Sequence, residues 1–259
     1  MEKKFNNKNI IIVGGTSGIG AATAFALAKQ GANVIIAGRN IQKGKIIVDS
    51  IKQKFKVEVT FYQTDITCKD SIDNFFIKSL SDYSRIDGAF NCAGKIGNDS
   101  SLNGQRFHNS SETNWDNIFQ TNLKGIWHCM RHELNHMFQN KNGSIVNCAS
   151  IAGLKTANSR SIAYTASKHA LIGLTRATAV EYARDNIRIN AVCPGIIKTP
   201  ILNDIPDEKL ELLVQNSPGG RLGTPEEVAN TVVFLLSDES SYINGSAMVV
   251  DAGNLCGAL

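Results

Sequence analysis

No run of 18 apolar residues occurs anywhere in the chain, so nothing in it is long and apolar enough to cross a membrane as a helix. The first eight residues are largely polar and the apolar run at 10–13 stops at glycines, so a secretory signal core is not expected. Only 5 prolines stand against 22 glycines, with no tract of either to mark a linker and no repeat of solenoid period. One domain spanning 1–259 is therefore expected. The cysteines Cys68, Cys92, Cys129, Cys148, Cys193 and Cys256 contain no CxxC pair, and a chain of this length needs no disulfide staples. A reducing cytoplasm fits them best. Charge of one sign is scarce too: 27 basic and 23 acidic side chains leave +4, with no block able to neutralise a row of phosphates. Neither nucleic acid nor a membrane is an expected partner.

What the chain does have is alternation. Short β-branched runs at 10–13, 34–37, 57–62, 88–91, 144–149, 187–192 and 247–250 read as strands. Helix-length amphipathic segments lie between them at 18–30, 42–54, 69–82, 115–140, 163–184 and 225–237. Strict β-then-α order predicts an α/β fold, a Rossmann-like doubly wound parallel sheet of about seven strands with helices on both faces. Two irregular stretches remain, 95–114, rich in Asn, Ser and Gly, and 196–221, which holds three of the five prolines. Both follow strand carboxyl ends, where such sheets bind ligands, so they are candidate substrate loops.

After the first strand comes Gly14-Gly15-Thr16-Ser17-Gly18-Ile19-Gly20, then an alanine-rich helix. Gly14 suits a tight turn, Gly18 lets backbone N–H groups approach a pyrophosphate, and Gly20 allows close helix–strand packing. Such spacing becomes informative only in a strand–turn–helix context, which this one has. About 20 residues on, the second strand ends in Ala37-Gly38-Arg39-Asn40, with no Asp or Glu between 34 and 48. A carboxylate there would accept from a free ribose 2′-hydroxyl, whereas an arginine clamps a 2′-phosphate. Arg39 therefore predicts NADP in preference to NAD.

Tyr164 and Lys168 are spaced i, i+4 and share one helical face. Ser150 ends a strand upstream, and Asn122 lies in the helix before that. With the glycine loop, these residues make the chain similar to the short-chain dehydrogenase/reductase family over essentially its whole length. The resemblance rests also on Asp65, Asn91-Cys92-Ala93-Gly94, Asn122-Leu123-Lys124-Gly125, Tyr164-Thr165-Ala166-Ser167-Lys168, Pro194-Gly195-Ile196-Ile197-Lys198-Thr199, and the tail Ile243-Asn244-Gly245-Ser246 to Asp251-Ala252-Gly253. Val13, where the family usually has Thr, and Cys92, where it often has Asn, depart from the pattern.

The resemblance implies an enzyme that moves a hydride between nicotinamide C4 and a carbon bearing oxygen, interconverting a carbonyl and a secondary alcohol on a small substrate. A free tyrosine is too weak an acid to serve as base at neutral pH, but a cation beside its hydroxyl favours the phenolate, and Lys168 supplies one. In reduction Tyr164 gives its proton to the developing alkoxide while Ser150 donates to the same oxygen. Asn122 would hold a water linking Lys168 to solvent. Cofactor-binding positions are Gly14, Thr16, Ser17, Gly18, Ile19, Gly20, Arg39, Asp65, Ile66, Asn91, Ala93, Gly94, Tyr164, Lys168, Pro194, Gly195, Ile197 and Thr199, with Asp65 toward the adenine and Thr199 toward the carboxamide. The runner-up activity is reduction of a 3-oxoacyl carrier thioester. Enzymes of that kind commonly place an arginine before the Glu of the long catalytic helix, where this chain has Val180 before Glu181.

A competing pattern is His132-Glu133-Leu134-Asn135-His136, which matches the HExxH of zinc hydrolases. No third-ligand pattern follows it, and no metal is expected. A nucleotide sensor without activity is a third reading, against which stands the intact set Ser150, Tyr164 and Lys168. The segments 115–140 and 163–184 carry apolar residues on more than one face. That surplus predicts a homo-oligomer, and the resemblance implies that it is a tetramer paired through these two helices.

Overall fold

A computed structural model describes residues 3–97, 106–156, 161–203, 205–215 and 217–257. The β-branched runs form strands β1 (Asn9–Val13), β2 (Asn33–Gly38), β3 (Val59–Gln63), β4 (Gly88–Asn91), β5 (Gly143–Cys148), β6 (Ile187–Pro194) and β7 (Ala247–Val250). They make one parallel sheet in the order β3-β2-β1-β4-β5-β6-β7. The order reverses between β1 and β4, whose carboxyl ends flank the crevice where such sheets bind ligands.

Eight helices occur among the described residues: α1 (Gly18–Lys29), α2 (Ile41–Lys54), α3 (Lys69–Tyr83), α4 (Glu112–Phe119), α5 (Ile126–Asn140), α6 (Ile162–Glu181), α7 (Asp207–Gln215) and α8 (Pro225–Leu236). Strand side chains alternate between two cores because their period is two. Ile11, Ile35, Ile145 and Ile189 meet α3, α5 and α6 on one face. Ile10, Ile12, Ile36, Val146 and Val192 meet α1 and α8 on the other. None of the described helices is long and apolar enough to cross a membrane.

Two expectations need correction. The segment 115–140 is not one uniform helix: α4 passes through a π-helical turn, Gln120–Gly125, into α5. The turn lengthens the helical path without interrupting the apolar periodicity, so the sequence pattern did not reveal it. The stretch 196–221, expected to be irregular, contains a 3-10 turn, Pro200–Leu202, and the helix α7. Residues 98–105 of the other candidate substrate loop lie outside the described residues.

Candidate active site

The chain leaves β1 through Gly14 at φ +85°, and a Cβ there would stand 2.6 Å from the Ala93 nitrogen. A Cβ on Gly20 would stand 2.2 Å from the Gly14 carbonyl oxygen, so only glycine lets α1 start so close to the strand. Ser17 caps α1 without a side-chain hydrogen bond, which leaves the first-turn N–H donors with no side-chain acceptor. That is the donor set an anion needs at a helix N-terminus. Thr16 packs on Gly38 at the end of β2, and Thr199 packs on Gly18. The glycine loop thus meets Arg39's neighbour on one side and the segment after Pro194 and Gly195 on the other. Ile197 of that segment is buried and bridges to Gly223.

At the end of β2 the Arg39 side chain is exposed, and its guanidinium makes no hydrogen bond or ion pair with the described residues. After the adjacent strand β3, burial opposes ionisation of Asp65, but the Thr67 N–H and hydroxyl donate to its Oδ1 at 2.9 and 2.8 Å. With Arg39 and Lys95 adding positive charge, the carboxyl titrates below its ordinary value. Its Oδ2 remains available to a ligand donor. Ile66, the next residue, is buried.

The second half of the site is built by β4, β5 and α6. Lys168 is 4% exposed; its Nζ donates to the Cys148 carbonyl at 2.7 Å and lies 5.6 Å from the Tyr164 ring centroid. A Cβ on Gly94 would be 3.5 Å from that Nζ, so the loop after β4 lies against the lysine. Ser150 caps a short 3-10 turn, Ile151–Gly153, by accepting from the Ala152 N–H at 3.1 Å. A hydroxyl has one hydrogen and two lone pairs, so the cap leaves its O–H free to donate to a substrate oxygen. Tyr164 is half-buried above Lys168.

Asn122 is fully buried in the π-helical turn. Its Oδ1 accepts from the Lys95 N–H at 2.9 Å, and its Nδ2 donates to the Lys95 carbonyl at 2.9 Å and to Ser167 Oγ at 3.1 Å. Ser167 in turn donates to the Tyr164 carbonyl at 2.7 Å. Asn122 therefore ties the loop after β4 to the helical turn that carries the tyrosine. Ser167 was not singled out from the sequence, although it sits three residues after Tyr164, where a hydroxyl reaches back to the i−3 carbonyl.

Asn91 joins a buried cluster instead of facing the crevice with its amide: Nδ2 donates to Glu133 Oε2 at 3.0 Å and to Asn147 Oδ1 at 3.1 Å. Burial pushes the Glu133 carboxyl up to about 8, the Asn91 bond only partly offsetting it. The histidines around Glu133 diverge. His132 Nε2 meets Asp73 at 2.8 Å with its ring stacked on Phe76, while His136 Nε2 accepts from the Ile86 N–H at 3.1 Å. The three side chains of the HExxH pattern thus point to separate partners, and no metal-holding cluster occurs among the described residues.

Residues 13–254 match the family model described as enoyl-(acyl carrier protein) reductase. The chain is 38% identical over 251 residues to a cyclohexanol dehydrogenase of Acinetobacter sp. (strain SE19), covering 97% of this chain and 96% of that one. It is likewise 38% identical over 253 residues to a 3-oxoacyl-(acyl-carrier-protein) reductase of Thermotoga maritima, covering 96% and 98%. Among solved structures, levodione reductase superposes with a TM-score of 0.92 at 31% identity, covering 98% of this chain and 100% of that one.

Proposed function

The chain belongs to the short-chain dehydrogenase/reductase family and is an oxidoreductase of that class; on that premise we propose that it uses NADP(H) to interconvert a ketone and a secondary alcohol on a small substrate. We further propose that it acts as a single domain over residues 1–259, in the cytoplasm, as a homotetramer. The observation that carries the reaction is the buried Lys168 ammonium, held 2.7 Å from the Cys148 carbonyl beneath Tyr164 and against Gly94.

The glycine cradle fits a dinucleotide: its Cβ-free walls and the uncapped start of α1 suit a pyrophosphate. Thr16, Ser17, Gly18, Ile19 and Gly20 would hold it, with Arg39 on the ribose phosphate, Asp65 and Ile66 beside the adenine, and Ala93, Gly94, Ile197 and Thr199 toward the nicotinamide. Bound there, the nicotinamide supplies or accepts the hydride. Ser150 donates its free O–H to the substrate oxygen and fixes it, and Tyr164 delivers the proton that oxygen needs. Lys168 places positive charge beside the tyrosine, its Nζ 5.6 Å from the ring centroid. The Asn122 side chain bonds Lys95 and Ser167, so its part is positioning. No metal belongs to the proposal, since His132 and His136 are committed elsewhere.

Reduction of the 3-oxo group of an acyl-carrier thioester is the second reading, favoured by the Thermotoga relative at equal identity. Against it, Val180 before Glu181 is 81% exposed and offers an acidic carrier no cation. One set of measurements tests the proposal: NADPH and NADH titrated into the wild type and Arg39→Ala, followed by a screen of ketones, alcohols and 3-oxoacyl thioesters with wild type and Tyr164→Phe. NADPH should bind tighter, and Arg39→Ala should weaken it roughly ten- to a hundredfold by removing a charge-assisted contact. Tyr164→Phe should bind cofactor and lose turnover. Equal affinity of the wild type for both nucleotides, or near-normal rates in Tyr164→Phe, would reject the assignment.

A further inference from the structure

We propose that Cys92 and Cys148 form a reversible oxidation site, a thiol pair that hydroperoxides convert into a disulfide across the ends of β4 and β5, displacing the wall of the nucleotide crevice that these ends build. The register places them side by side. β4 and β5 pair in parallel with Asn91 opposite Asn147, and Cys92 and Cys148 are the next residue on each. Both sulfurs belong to the core under α1 and α8, like Phe90 and Val146 two residues before them. Adjacent parallel strands lie about 4.8 Å apart, within the Cα separation of roughly 4.4–6.8 Å that a disulfide spans.

The remaining cysteines are placed elsewhere. Cys193 faces the opposite side of the sheet with Ala149 and Ile172, and Cys129 is buried among the residues of α5. Cys68 and Cys256 are exposed and lie outside the sheet. Only Cys92 shares a face and a register position with Cys148.

The pair is also primed chemically. The neighbouring Cys92 sulfur and, beyond it, the Lys168 ammonium outweigh burial and hold the Cys148 thiol below its ordinary value. Cys92 shifts the other way, well above an ordinary thiol. Cys148 is therefore the attacking sulfur. Its thiolate attacks the terminal oxygen of a hydroperoxide and the O–O bond breaks, forming a sulfenic acid while the alkoxide takes up a proton and leaves as an alcohol, or as water when the oxidant is hydrogen peroxide. The Cys92 sulfur then attacks the sulfenic sulfur, the S–S bond forms, and the hydroxyl leaves as water with the Cys92 proton. Two thiols lose two electrons in total, and the peroxide O–O bond takes them.

Position makes the bond consequential. The Cys92 N–H donates to the Val13 carbonyl at 2.8 Å, and Ala93 packs on Gly14, so Cys92 is built into the glycine cradle. The Cys148 carbonyl holds Lys168. Drawing the sulfurs to about 2.05 Å shifts both attachments, and a disulfide near the short end of its Cα range is strained and easily reduced.

The test treats the wild type with tert-butyl hydroperoxide without reductant, then reads three things: intact mass, the cross-link map of a non-reducing digest, and NADPH binding before and after dithiothreitol. A loss of two hydrogens, a peptide joining Cys92 to Cys148, and NADPH binding that is lost and then restored by dithiothreitol are expected. Cys92→Ser and Cys148→Ser should each keep, after peroxide, the binding they had before it. The mass and the map do not depend on the enzymatic reading, so failure of one is separable from failure of the other. Absence of the cross-link, pairing of any other cysteines, or a Cys92–Cys148 cross-link with NADPH binding intact each overturns the proposal. Should a serine variant not fold, the wild-type map decides.

Discussion

Glu133 has no exposed surface, and one of its oxygens, Oε1, has no partner among the described residues, as does Asn91 Oδ1 in the same contact. A carboxylate so placed is costly, which is why burial holds the acid neutral up to about 8. The consequence for stability follows from linkage. Between the ordinary value of 4.5 and about 8 the folded chain keeps a proton that the unfolded chain has released, so folding weakens as pH rises. This one group should contribute a slope of about 1.4 kcal/mol per pH unit within that window, flattening above it. Glu133→Gln keeps the shape and removes the titration. Urea unfolding at fixed protein concentration should give two stability curves that converge or cross as pH rises from 5.5 to 8.5, the wild type losing ground; parallel curves would show that Glu133 carries no such shift. The same residue shows where reading single positions fails. The HExxH spacing does set His132 and His136 on related turns of α5, but the neighbours that decide their chemistry, Asp73 on α3 and the Ile86 N–H before β4, are distant in sequence. The placement of Tyr164 over Lys168 was legible because the two are four residues apart on one helix.

Elements were legible in proportion to their periodicity. All seven strands fall within two residues of the sequence reading, since a buried parallel strand is a short β-branched run bounded by turns. The helix α7 escaped because the prolines around it suggested a loop, and the π-helical turn because it leaves the apolar pattern unbroken. That turn sets Asn122 under the site. Asn122→Ala leaves the Lys95 N–H and carbonyl without their partner, at about 1–3 kcal/mol for each group that stays buried and unpaired. The expected result is a destabilised protein in which the Lys95 amide exchanges with solvent markedly faster than in the wild type and turnover falls more than cofactor affinity. Unchanged protection at Lys95 would remove Asn122 from its positioning role.

At the scale of the whole molecule, part of the apolar surplus disappears into the chain's own core. Ile118, Ile126, Met130, Leu134, Met137 and Leu171 are all buried there. What remains is more localised: a groove of about 770 Å³ between α4, the π-helical turn, α5 and α6, lined by Phe119, Leu123, Trp127, Ala170 and Leu174. Trp127 is 40% exposed. A second apolar surface lies at the other end of the sheet, where β7 is an edge strand and Tyr242, Val249 and the α6 residue Val180 are exposed. A tetramer with three two-fold axes needs two separate surfaces that each pair with their own copy, whereas one would stop at a dimer. Neither surface is explained by folding alone, since apolar patches on monomers are small and usually functional. The expected species in light scattering is therefore four copies of the 28.0 kDa chain. Trp127→Asp should break the groove contact and yield a dimer that keeps its secondary structure, because Trp127 lies outside both cores. A wild type eluting as a 28.0 kDa monomer at micromolar concentration would mean that a segment of the same chain covers the groove, and would reject the tetramer.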